Sequence, residues 1–87
     1  MHQKEYIIVH MESKYTKEQL KGLSNEELMD KTNNRAVEVY LYDGRFIQLC
    51  ANDFGGFNND KTFFFSKTGI KIKFQEVNYV KVIEGVI

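Results

Sequence analysis

Residues 60–74, DKTFFFSKTGIKIKF, restrict the possible folds more than any other part of this 87-residue chain. Three consecutive phenylalanines run into an alternation of apolar residues with lysines. The pattern predicts two short β-strands, because a period of two separates a buried face from a wet one. Between them, Lys67-Thr68-Gly69 predicts a three-residue hairpin loop, a type I turn closed by a glycine in the left-handed region. That loop pairs Ser66 with Ile70, Phe65 with Lys71, Phe64 with Ile72 and Phe63 with Lys73. Phe64, Ile70, Ile72 and Phe74 then share one face, assigned to the core. Phe63 and Phe65 share the other with Lys71 and Lys73. A slip of one residue would exchange the two faces.

A second hairpin is expected over residues 36–42 and 45–51, joined by Asp43-Gly44 as a two-residue type I′ loop. This register sets Leu41 opposite Phe46, Val39 opposite Gln48 and Val37 opposite Cys50 on one face. On the other, Tyr42 lies opposite Arg45, Tyr40 opposite Ile47 and Glu38 opposite Leu49. Both faces come out substantially apolar, so the hairpin is expected to be covered on both. Upstream, Tyr6 to His10 (YIIVH) predicts an N-terminal strand. Thr16 with Gln19, and Ser24 with Glu27, have the spacing of capping boxes, so two short helices are expected, separated at Gly22. Leu20, Leu23, Leu28 and Met29 supply their buried stripe, and Asn33-Asn34 stops the second. Residues 52–60, NDFGGFNND, are expected to be a loop, longer than most hairpin connections. Phe74, Val77 and Val80 recur at every third position, which predicts one 3₁₀-like turn before a short last strand, residues 80–83.

The elements run strand, helix, helix and then about five strands. Consecutive strands joined by tight turns favour α+β over α/β. We expect a single domain, residues 1–87, in which an N-terminal strand and two short helices pack on a curled antiparallel sheet of about five strands, an SH3-like, partly open barrel. The stretches VEVYLYDGRFIQL and IKFQEVNYVKVIEG, about half the chain, resemble Sm-like small barrels in their alternation around a DG turn. No family residue is carried over from that resemblance.

With 43% apolar and 14% aromatic residues, the chain can form one core without metals or disulfides. Twelve basic and twelve acidic residues cancel, so no global field steers nucleic acid or a membrane surface. The single cysteine, Cys50, cannot form an internal disulfide and fits a reducing, cytoplasmic compartment. Its apolar neighbours predict a buried, inert thiol. No secretory leader opens the chain and no apolar run approaches ~18 residues, so neither secretion nor membrane spanning is expected. His10 and Glu12 share a strand face, but metal sites usually need three or four ligands, and no metal or cofactor is expected. No grouping supplies a nucleophile, a base and an oxyanion donor together, so the chain is expected not to be an enzyme.

The sharpest surface feature is the face carrying Phe63, Phe65, Lys71 and Lys73. The lysine stems can lie across the rings and leave their ammonium groups in water. Packing of this kind is the leading reading, ahead of a protein partner, with base stacking and phosphate holding last. Neutral net charge argues against the last. Tyr40, Tyr42, Arg45 and Tyr79 form a second aromatic patch of residue types enriched at interface hot spots. We therefore expect a small binding protein acting through protein–protein contact. Its surface would combine these residues with Asn52, Asp53, Phe54, Phe57 and Asn58 of the neighbouring loop. A homodimer covering the same face is compatible. Small size and the lack of assembled chemistry suggest a phage or mobile-element (viral) product that occludes a host defence machine. The alternative is a nucleic-acid-binding small β-barrel.

Overall fold

The computed structural model describes residues 10–86, with side chains over 12–83. The strand expected at Tyr6 to His10 lies outside the described residues except for His10, which opens β1 (His10–Thr16). Two helices follow, α1 (Lys17–Gly22) and α2 (Asn25–Thr32). Both expected capping boxes form. Gln19 N donates to Thr16 Oγ1 at 3.2 Å and Thr16 N to Gln19 Oε1 at 2.8 Å. Ser24 and Glu27 repeat the exchange at 3.0 Å in both directions. Each reciprocal pair satisfies two otherwise unpaired donors at a helix start. α1 stops at Gly22 as expected. Leu20 and Leu28 are fully buried, and Leu23 and Met29 pack partly against the core. Asn34, in the left-handed region at φ 58°, turns the chain out of α2.

Seven strands are described: β1 before the helices and six after them, where about five are expected. β2 (Ala36–Leu41), β3 (Phe46–Leu49), β4 (Phe54–Phe57), β5 (Phe63–Ser66) and β6 (Lys71–Lys73) run in succession. A 3₁₀ turn (Phe74–Glu76) then leads into β7 (Val77–Val86). The 3₁₀ turn stands where expected, but the last strand is ten residues long and begins at Val77. The strands form two antiparallel sheets, one ordered β1-β7-β2-β3 and the other β4-β5-β6. The molecule is α+β, and its sheets do not close on each other.

The β5–β6 hairpin has the predicted register: Phe63 opposite Lys73, Phe64 opposite Ile72, Phe65 opposite Lys71. Ser66 N donates to Ile70 O at 2.9 Å, and Gly69 closes the loop at φ 107°. Phe64 is fully buried, as its alternation requires. Ile70, assigned to the core, is instead 41% exposed beside the turn.

The β2–β3 hairpin departs from expectation by one residue. Val37 pairs with Leu49, Glu38 with Gln48, Val39 with Ile47 and Tyr40 with Phe46. Leu41 N donates to Arg45 O at 2.8 Å and Gly44 N to Leu41 O at 3.1 Å, so the loop holds three residues, Tyr42-Asp43-Gly44. A type I′ turn needs positive φ at both central residues. Here only Gly44 has it, at φ 92°. The turn is therefore of the same kind as Lys67-Thr68-Gly69. The corrected register removes the two-sided apolar pattern. Val37, Val39, Leu41 and Leu49 are buried, while Phe46 and Gln48 face solvent and Glu38 and Tyr40 stand half-buried on the same outer side. The hairpin is covered on one face only.

Residues 52–60 hold a strand where a loop is expected. β4 pairs with β5 through a bulge: Phe54 lies opposite Ser66, but Gly56 lies opposite Phe65. The extra residue brings both Phe54 and Phe57 inward, 2% and 5% exposed, although they are three apart. Gly56 allows this with φ 83°. Phe64 then sits among three rings, with centroids 5.4 Å to Phe54, 4.5 Å to Phe57 and 5.5 Å to Phe74. This cluster is the centre of the core between the sheets.

Candidate interaction surface

The hairpin face predicted from sequence exists, but it is partly covered. Phe63 and Phe65 are half-buried, with centroids 6.3 Å apart. The Lys71 ammonium lies 4.0 Å from the Phe63 ring centroid, a cation–π contact that covers part of the ring. Lys73 is exposed and lines a cleft with Lys61, Thr62, Phe63, Phe74 and Gln75. Lys61 is engaged internally. Its ammonium donates to Lys21 O at 2.9 Å and Leu23 O at 2.6 Å, placing a cation at the carbonyl end of α1.

The outer face of the four-stranded sheet carries a more exposed feature. Tyr40 on β2 lies opposite Tyr79 on β7 and Phe46 on β3. The rings stack in a row across three strands. Tyr40 and Tyr79 centroids are 4.6 Å apart at 13°, and Tyr40 and Phe46 are 5.1 Å apart at 19°. Lys14 on β1 caps the Tyr79 end at 4.2 Å from the centroid. Phe46, on the edge strand, ends the row 51% exposed. A parallel row holds Gln48, Glu38, Lys81 and Lys14, set opposite one another by the same registers. Tyr40 Oη donates to Glu38 Oε1 at 2.9 Å, and this carboxylate pushes the phenol above its ordinary pKa. Lys81 lies 5.3 Å from the Tyr40 centroid and 3.9 Å from Glu12 Oε2. The face is an aromatic row beside a balanced set of charges.

Tyr42 and Arg45 do not join that row. Tyr42 is 61% exposed in the turn, with the Lys17 ammonium 5.1 Å from its ring centroid. Arg45 Nε donates to Asp43 Oδ2 at 2.6 Å, and Asp43 Oδ1 accepts from Arg45 N at 3.0 Å. Those bonds, the backbone one foremost, hold the Asp43 carboxyl below its usual range. Of the loop residues, Phe54 and Phe57 are core and offer nothing to a partner. Asn52 is exposed, and its Oδ1 accepts from Asn34 N at 3.2 Å. Asp53 O accepts from Lys67 N at 2.7 Å, tying the β4 entrance to the hairpin tip. Asn58 Oδ1 accepts from Thr62 N and Phe63 N, both at 2.9 Å, so its role is to shape the turn into β5. The Thr62 hydroxyl, donating to Asp60 at 2.7 Å, leads the contacts that lower the Asp60 pKa.

Cys50 is exposed rather than buried, because the corrected register puts Leu49 opposite Val37 and turns Cys50 outward. Neither of the clefts beside the 3₁₀ turn is lined by Cys50. Among the described residues, no three His, Cys, Asp or Glu side chains are grouped to hold a metal ion. No described helix is long and apolar enough to cross a membrane.

Tyr40 and Tyr79 are legible in the sequence; Phe46 is not, because the two-residue loop sets it opposite Leu41, on the face with Val37 and Val39. The missed signal lay in the turn: with Asp43 at ordinary φ, Phe46 moves opposite Tyr40. Comparison with protein-family profiles, with curated proteins and with solved structures finds no match in any of the three.

Proposed function

We propose that this is a small non-enzymatic binding protein that acts through protein–protein contact on the outer face of its four-stranded sheet. The row Phe46–Tyr40–Tyr79 carries the proposal. Aromatic rings supply large contact area at low conformational cost and recur at interface hot spots. Here they stand on the solvent side of a sheet whose other side already packs the core. Base stacking has weaker support. The Tyr40 faces are taken by its neighbours and one Tyr79 face by Lys14, and the charges of the chain cancel. Occlusion of a host machine would use the same surface sterically.

The SH3-like barrel reading belongs with this proposal. It is supported by the β2–β3 hairpin, the β4-β5-β6 meander, the 3₁₀ turn and the return of the last strand to β2. The functional test is capture from a lysate of the source cells after nuclease treatment, comparing the native chain with Phe46→Ala/Tyr79→Ala. A stoichiometric protein lost in the variant supports the proposal. A salt-sensitive shift of single-stranded nucleic acid, lost in Lys71→Glu/Lys73→Glu, would instead favour the nucleic-acid alternative.

A further inference from the structure

The two sheets have four edges, and three of them are protected. β1 exposes Glu12 and Lys14. β6 exposes Lys71 and Lys73. β4 is covered by α2, whose Asn25 Oδ1 accepts from Phe57 N at 2.8 Å. Such charges and covers are how proteins keep strand edges from pairing with other chains. β3 has neither. Its residues Phe46, Ile47, Gln48 and Leu49 include no charge and no proline.

The backbone of β3 is also set for pairing. Leu41 N bonds to Arg45 O, while Tyr42 N bonds away from β3, to Glu76 O. Antiparallel alternation then turns the polar groups of Ile47 and Leu49 toward β2. Those of Phe46 and Gln48 point outward along the open edge.

We propose that β3 pairs antiparallel with β3 of a second copy of this chain, about a twofold axis through Ile47. The inference rests on the protein-contact reading and assigns the Phe46 end of the aromatic row, at the β3 edge, to a second copy. In this register Phe46 lies opposite Gln48 of the second copy, and the reverse, so all four outward backbone groups of each edge are used. The open face of the Phe46 ring is covered by that glutamine. Ile47, half-buried at the rim of the core, meets its own copy on the inner side. The sheet becomes one continuous surface ordered β1-β7-β2-β3-β3-β2-β7-β1. Charge selects the self-pairing. No like charges meet across β3, whereas β6 paired with its own copy would set Lys71 against Lys73. Four residues per edge make a small interface, so the dimer dissociates on dilution.

Light scattering across a concentration series tests this. We expect the mass to rise from 10.2 kDa toward twice that value as concentration increases. Gln48→Pro removes an outward N–H that no bond within the chain needs, and it should hold the mass at one chain with circular dichroism unchanged. Cross-linking provides a second measurement that does not depend on the proline variant folding. In a Cys50→Ser background, Ile47→Cys should oxidise to a covalent dimer, since a facing non-hydrogen-bonded pair has Cα atoms about 4.5 Å apart. Gln48→Cys should not, because the twofold leaves its two copies diagonal, about 7–8 Å apart. A constant single-chain mass, or cross-linking through position 48 in place of 47, overturns the pairing. A monomer that still captures another protein through Phe46 overturns self-pairing alone. A monomer that captures nothing overturns the binding proposal with it.

Discussion

Single side chains and backbone angles set this molecule at identifiable points. Gly56 is the most demanding. Its φ of 83° is the left-handed region, and a Cβ there would drive into Asn25 Oδ1 and Met29 Sδ of α2. Gly56→Ala should therefore cost at least ~2 kcal/mol in chemical denaturation, combining backbone strain with a clash. The caps are milder. Ser24→Ala removes the acceptor for Glu27 N and should cost about 1 kcal/mol by the same measurement. Hydrogen bonds from Ser24 to Glu27, from Arg45 to Asp43 and from Thr62 to Asp60 hold these carboxyls below their ordinary pKa. In the unfolded chain the values are ordinary, so the folded state binds protons less readily. The resulting stability is complete above the ordinary carboxylate range and is lost as pH falls through the folded values. Asp60→Asn should thus melt below the native chain at neutral pH, and the two melting curves should converge in acid.

At the scale of elements, the two hairpins show what a sequence displays and what it hides. Lys67-Thr68-Gly69 yields its register because glycine in third place has one good reading, a type I turn with a left-handed closing residue. Tyr42-Asp43-Gly44 builds the same turn, but Asp-Gly also suits a two-residue loop. That second reading slid β3 by one residue, reversed Phe46 and hid the aromatic row. β4 was illegible for a different reason. Its two glycines carry no strand signal, and the bulge breaks the alternation by which strands are recognised, so Phe54 and Phe57 read as loop rather than core. The capping boxes were legible because their signal lies within four residues. Core and surface rings should separate clearly in urea unfolding. Phe64→Ala should cost about 3–5 kcal/mol, as expected for a buried phenylalanine. Phe46→Ala, on a ring half in water, should cost about 1 kcal/mol or less, in the range of a single cross-strand pair.

In the whole molecule, α1, α2 and the second sheet pack on one side of the four-stranded sheet, and among the described residues no element packs on the other. The long β7 sits between β1 and β2 and bonds to both, so it joins the N-terminal strand to the rest of the fold. Neither fact could be read from local pattern, since strand order depends on contacts distant in sequence. Among the described residues, the geometry leaves an aromatic row running to an uncharged edge strand, and there we propose that a second copy pairs. Amide hydrogen exchange at Phe46 and Gln48 tests this most directly. We predict that both amides exchange rapidly in dilute protein and become protected as concentration rises, while Ile47 and Leu49, bonded to β2, stay protected throughout. If Phe46 and Gln48 exchange rapidly at every concentration while the mass stays at one chain, β3 is not where copies of this chain meet.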